Sequence, residues 1–111
     1  MYHNPGCKFS RGAEEILRQR DADVEIVEYL DHPLTRADFE RVLDILDDPP
    51  AELVRKDKQF AALGLSEDDY QTREQVIDLL LEHPVLMQRP IVIRDDRAVI
   101  ARPSDKVLDL L

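Results

Sequence analysis

The chain has 111 residues, 43% of them hydrophobic and 35% charged, which suits one compact, well-solvated domain and is too short for two ordinary cores. Fifteen Lys and Arg against 24 Asp and Glu leave a net charge of −9, a field that repels a polyphosphate backbone and argues against nucleic-acid binding. No apolar run approaches the roughly 20 residues of a membrane span and no signal-peptide pattern opens the chain, so a reducing cytoplasm is the expected setting.

In chain order, Met1 and Tyr2 leave room for only a stub of strand before a Pro-Gly turn at Pro5-Gly6, or else the chain lacks its first residues. Phe9, Ala13, Ile16 and Leu17 then recur at helical spacing and predict a first helix, with Glu14, Glu15, Arg18 and Gln19 on its wet side. Val24 to Leu30 is β-branched and partly alternating, a strand closed by His32-Pro33. Thr35 with Asp38 resembles an N-terminal capping pair ahead of Phe39, Val42, Leu43 and Leu46, a second helix that ends at Asp47-Asp48-Pro49-Pro50. Ala51 to Leu65 reads as one or two short helical pieces, with Gly64 free to take a left-handed terminating conformation. The acidic run Glu67-Asp68-Asp69 reads as a helix opening. Thr72-Arg73-Glu74-Gln75 is a capping box that launches a helix through Val76, Ile77, Leu80 and Leu81, stopped by Pro84. Arg89 to Arg94 and Ala98 to Ala101, joined by Asp95-Asp96, predict a β-hairpin, and Ser104 caps a last amphipathic helix carrying Val107, Leu108 and Leu111. The order implies a mixed α/β sheet covered by helices.

The chemistry concentrates around the single cysteine. Cys7 sits in a Pro-Gly turn immediately before a helix, where unpaired N–H groups and about half a positive charge favour thiolate and cradle an anion. Lys8, Arg11 and His3 add positive charge, and such surroundings can lower a thiol pKa from about 8.5 to as little as about 3.5. The plain alternative is a buried cysteine that merely packs. Ser10 stands where a C-x-x-C motif has its second cysteine; it can donate to a thiolate and cannot form a disulfide. One cysteine also means that this chain cannot resolve its own oxidised sulfur, so any redox cycle needs an external thiol.

Three arginines lie at element ends in apolar or Pro-bounded settings: Arg55 after Leu53-Val54, Arg89 before Pro90, and Arg102 before Pro103. They are candidates for an inward clamp on an oxyanion, using the planar fork that lysine lacks. A thiolate about 4 Å from another negative charge is repelled by about 4 kcal/mol at an effective dielectric of about 20, and two or three guanidinium groups would offset that. The competing reading is surface arginines that cap carbonyls or pair with carboxylates. His32 and His83 precede prolines and read as punctuation, the scattered histidines lack zinc spacing, and the Asp and Glu residues read as solvated helix faces.

His3-Asn4-Pro5-Gly6-Cys7-Lys8-Phe9-Ser10-Arg11 resembles the H-N-P-x-C-x-x-S-R active loop of the glutaredoxin-linked arsenate reductases. Leu53-Val54-Arg55-Lys56, His83-Pro84-Val85-Leu86, Arg89-Pro90-Ile91-Val92 and Arg102-Pro103-Ser104 follow in that family's order, so the resemblance spans essentially the whole chain. It implies a single domain with a thioredoxin-like fold and a helical insertion from roughly Thr35 to His83, and a cis Arg89-Pro90 bond facing the cysteine. It implies Cys7 as nucleophile, Arg55, Arg89 and Arg102 as substrate-binding residues, and His3, Ser10 and Arg11 as the loop positions that tune the thiolate and hold the anion. It implies no metal or tightly bound cofactor. Arsenate forms an adduct on the cysteine, glutathione or an equivalent small thiol attacks next, and glutaredoxin or an equivalent redoxin removes the glutathione so that arsenite leaves. Two rivals share the fold: a thiol-disulfide oxidoreductase that never handles an oxyanion, and a protein-binding regulator. The regulators typically carry C-x-x-C, and Ser10 weighs against them here.

Overall fold

A computed structural model describes residues 1–66 and 70–111; the expected helix opening at Glu67-Asp68-Asp69 lies outside them. A four-stranded mixed sheet is at the centre, built from β1 (Tyr2–His3), β2 (Val27–Glu28), β3 (Ile91–Arg94) and β4 (Arg97–Ile100) in the order β2-β1-β3-β4. β1 runs parallel to β2 and antiparallel to β3, and β3 and β4 form the expected hairpin, with Asp95 in the left-handed region at φ 54°. Among the described residues the α-helices are α1 (Lys8–Gln19), α2 (Arg36–Ile45), α3 (Lys58–Ala62) and α4 (Arg73–Glu82). Short 3₁₀ turns cover Pro50–Leu53, Pro84–Leu86 and Ser104–Leu110.

The pleat explains how one short sheet serves two cores. Along β3 and β4, Ile91, Ile93, Ala98 and Ile100 face one side and Val92, Val99 and Ala101 the other. The first set packs under α2 and α4 with Tyr29, Phe39, Val42, Leu53, Ile77, Leu80 and Met87. The second packs under α1 and the last 3₁₀ turn with Met1, Ala13, Leu17, Val107 and Leu110. Both predicted capping boxes form: Thr35 accepts from the Asp38 N–H and Thr72 from the Gln75 N–H, and each N3 side chain reaches back to its cap. Gly64 takes φ 70° beyond α3, as its position before Leu65 suggests.

Two elements differ from the sequence reading. The strand expected over Val24 to Leu30 pairs only at Val27–Glu28, because β1 is two residues long and offers no more ladder; Ile26 is left exposed and Tyr29 buried. The final segment is a 3₁₀ turn and not a Ser104-capped α-helix. Its N-cap is Pro103, and the Ser104 hydroxyl instead donates to the Phe9 carbonyl at 2.8 Å, tying the segment to α1. At three residues per turn Val107 and Leu110 share the buried face, while Leu108 and Leu111 are exposed.

Candidate active site

The loop between β1 and α1 is closed by its own backbone. The Cys7 N–H donates to the Asn4 carbonyl at 3.0 Å, Asn4 Oδ1 accepts from the Gly6 N–H at 2.9 Å, and Ser10 Oγ accepts from the Asn4 N–H at 3.3 Å. This turn sets Cys7 at the N-cap of α1 with extended backbone, its carbonyl accepting from the Arg11 N–H, so the side chain looks across the helix start. Cys7 is a free thiol, buried at 7% exposure. Burial by itself pushes the thiol's pKa up. The backbone N–H of Ser10, the Arg89 guanidinium and the backbone N–H of Phe9 together outweigh it and bring the value down to about 7.

Each arginine arrives on a different piece of the fold. Arg55 follows an isolated antiparallel bridge between Val54 and Met87, flanked by Arg55 N–H to Leu86 O and Gln88 N–H to Leu53 O, both 2.7 Å, which lays it beside Arg89. Arg89 directly precedes β3 through a cis bond to Pro90, and Arg102-Pro103 is also cis. Arg102 leaves the end of β4, where Ala101 N–H donates to Pro90 O at 2.9 Å. The Arg102 guanidinium lies over the Phe9 ring at 4.2 Å, donates to the Arg89 carbonyl at 3.3 Å, and stands with Nη1 3.9 Å from Cys7 Sγ, a long contact. Burial lowers the pKa of Arg55, and the positive charges of Arg89 and Arg102 lower it further, against the pull of Asp57. Like charges gathered this way in a half-buried pocket favour an anion between them.

The structure therefore brings Cys7, Arg55, Arg89 and Arg102 to one place. His3 and Arg11 make contacts to other groups of the loop and helix. His3 is buried with Nε2 3.4 Å from a Glu14 carboxylate oxygen, and exposed Arg11 donates to Pro5 O at 2.9 Å, bracing the loop. Ser10 is fully buried and acts on the thiol through its backbone, its hydroxyl being the acceptor for Asn4. Asp57, read from sequence as one more solvated carboxylate, is a correction: Oδ1 caps α3 through the Gln59 and Phe60 N–H groups while Oδ2 holds Arg55 at 2.9 Å. Its signal was present, since Asp before a short helical piece is a strong N-cap. Phe9, Asn4 and Tyr29 also belong to the surroundings of the site and carried no sequence signal beyond their place in the loop and strand. A cavity of ≈ 520 Å³ lies at the opposite end of α1 against Leu17, Val24, Val92 and Leu110, and none of the site residues named above lines it.

The ArsC family model matches residues 2–110. The chain belongs to the ArsC family. An arsenate reductase of Escherichia coli is 37% identical over the whole of this chain and 79% of its own length, and one of Rhizobium meliloti (strain 1021) matches at the same identity and coverage. The solved arsenate reductase from Vibrio cholerae superposes with a TM-score of 0.83 at 27% identity, over 99% of this chain and 94% of that one. The mixed sheet with its helical covers is thus the thioredoxin-like fold of this family, and the family chemistry is carried on a thiol. No helix among the described residues is long and apolar enough to cross a membrane.

Proposed function

We propose that the protein is an arsenate reductase in which Cys7 is the nucleophile and Arg55, Arg89 and Arg102 are the oxyanion ligands. The observation that carries this reading is a lone cysteine at a helix N-terminus facing a cluster of guanidinium groups, with Arg102 3.9 Å from its sulfur. With a pKa of about 7, roughly half the sulfur is thiolate at neutral pH, so a nucleophile is present without a separate general base. The arginines neutralise the arsenate oxygens and remove the repulsion of about 4 kcal/mol that a bare thiolate would meet. Ser10 contributes its N–H to the thiolate, and His3 and Arg11 hold the loop that presents it. The helical stretch from Thr35 to His83 works as an insertion between β2 and β3 that carries Arg55 to the sulfur.

The thiolate attacks arsenic(V) and displaces one oxygen as water, giving a cysteine-arsenate adduct. A small thiol of the glutathione class attacks the arsenic next and displaces a second oxygen as water, leaving arsenic bonded to both Cys7 and the glutathione sulfur. A redoxin thiolate of the glutaredoxin class then takes the glutathione sulfur, forming a glutathione-redoxin disulfide. The arsenic–glutathione bond breaks with its electron pair left on arsenic, which takes it to the +3 state, and water then cleaves the arsenic–Cys7 bond, releasing arsenite and returning Cys7 as thiolate. Two external sulfurs are oxidised and Cys7 is not, which matches a chain with a single cysteine. Such thiols are kept reduced in the cytoplasm, the compartment this reaction calls for.

The test is arsenate-dependent NADPH oxidation in an assay coupled through glutathione, glutaredoxin and glutathione reductase. Turnover that disappears in Cys7→Ser with the fold retained supports the reading. Reduction of a glutathione mixed disulfide without any arsenate-dependent turnover would overturn it in favour of a thiol-disulfide oxidoreductase.

A further inference from the structure

Ser104 lies outside the mechanism above, yet it is bonded to the turn that presents the nucleophile. Its hydroxyl donates to the Phe9 carbonyl at 2.8 Å, between segments 95 residues apart in the chain. Two residues before it, the Arg102 guanidinium lies over the Phe9 ring at 4.2 Å, so one residue of α1 is held at its backbone by Ser104 and at its side chain by Arg102. Phe9 is also joined to the sulfur, because its backbone N–H is one of the groups that favour the Cys7 thiolate. From this anchorage Arg102 donates to the Arg89 carbonyl at 3.3 Å and stands with Nη1 3.9 Å from Cys7 Sγ. Among the described residues no carboxylate pairs with Arg102, so a long side chain with many rotamers is kept in one place by its ring, carbonyl and sulfur contacts.

The serine is closely seated. A Cβ on Gly12, one turn along α1 from Phe9, would lie 2.5 Å from Ser104 Oγ and 3.0 Å from Ser104 Cβ, so the side chain rests against bare helix backbone. Behind it Val107 and Leu110 are buried with Ala13 and Leu17 in the core under α1. The hydroxyl does not cap its own 3₁₀ turn, whose N-cap is Pro103 and which has no side-chain cap bond. Its bond therefore serves α1 and the loop, not the segment to which Ser104 belongs.

We infer that Ser104 is a positioning residue for Arg102: by bonding the Phe9 carbonyl it pins the chain leaving β4 to the first turn of α1, and so holds the guanidinium over the Phe9 ring with Nη1 toward Cys7 and the substrate oxyanion. This deepens the arsenate reading and rests on it for the role of Arg102 toward substrate.

The test is Ser104→Ala, read by the ring-current shift of the Arg102 Cδ protons in nuclear magnetic resonance spectra of the anion-free protein. A second reading is protection of Cys7 from iodoacetamide with inorganic phosphate as the probe, in wild-type and Arg102→Met backgrounds. Removing the hydroxyl is expected to cut the upfield shift of the Arg102 protons by about half or more, and to weaken phosphate protection about fivefold when Arg102 is present and not at all in Arg102→Met. The alkylation midpoint without phosphate should stay within about 0.3 unit of the wild type, because Ser10 N–H, Arg89 and Phe9 N–H hold the thiolate. An unchanged Arg102 ring-current shift, equal losses of protection in both backgrounds, a midpoint that moves by a full unit, or a Ser104→Ala chain that no longer melts cooperatively would overturn the inference. The ring-current shift involves no anion, so it decides the positioning role even if phosphate does not protect the wild type and the proposed function fails.

Discussion

Cys7 ties stability, reactivity and pH together, and removing its sulfur tests all three. In the folded chain its pKa falls from the ordinary 9.0 to about 7, and a shift of about two units corresponds to about 2.7 kcal/mol of preference for the ionised form. The acid is depressed in the folded state, so the stabilisation is complete above the ordinary pKa near 9.0 and is lost as pH falls through about 7. Wild type should therefore gain about 2 kcal/mol relative to Cys7→Ser between about pH 6 and about pH 9. Urea denaturation of both proteins across that range measures the difference, and the iodoacetamide rate of the wild type should follow the same ionisation with a midpoint near pH 7. Parallel stability curves for the two proteins, or an alkylation midpoint above about pH 8.5, would show that Ser10 N–H, Phe9 N–H and Arg89 do not outweigh the burial of the sulfur.

Three further outcomes are expected. In Gly12→Ala the new Cβ would lie 2.5 Å from Ser104 Oγ and 3.0 Å from Ser104 Cβ. A helix-propensity gain of about 1 kcal/mol is then opposed by loss of the Ser104 to Phe9 bond and by overpacking, for a net destabilisation of about 1–2 kcal/mol in thermal melts; a neutral or more stable variant would refute this. Ser10→Ala should move the thiolate midpoint by less than about 0.3 unit, because the bond to sulfur comes from the backbone N–H and the hydroxyl is engaged with Asn4. A full-unit rise would mean that the hydroxyl holds the thiolate. Arg102→Lys keeps a charge but loses the planar group that lies over Phe9 and reaches both Arg89 O and Cys7 Sγ, so KM for arsenate in the coupled assay should rise about tenfold, and an unchanged KM would remove Arg102 from the clamp.

Helix starts, the hairpin and the setting of Cys7 are local matters, and they were legible without a structure. A capping box needs only a hydroxyl and a polar side chain three residues apart, which is why Thr35 with Asp38 and Thr72 with Gln75 are readable and both form. Asp95 and Asp96 between two β-branched runs specify a tight turn in the same way, and Cys7 after Pro5-Gly6 must cap whatever helix follows. The arginines at 55, 89 and 102 could be named as candidates from their settings and from the family resemblance, but spacing alone left them as ordinary surface groups. Their convergence depends on pairings between distant segments: Val54 with Met87, Pro90 with Ala101, and the stacking of Arg102 on Phe9.

By itself, then, the chain's order of residues determined periodicities, caps, turns and the location of its one nucleophile, because those follow from contacts within a few residues. Tertiary structure decided what those elements meet. It shortened β2 to match a two-residue partner, converted the last helix to a 3₁₀ turn by engaging Ser104 with α1, and drew Asp57 onto Arg55. The physical reason is that ladder register and packing are settled by the summed burial of two cores on opposite faces of one sheet, a quantity no single segment contains.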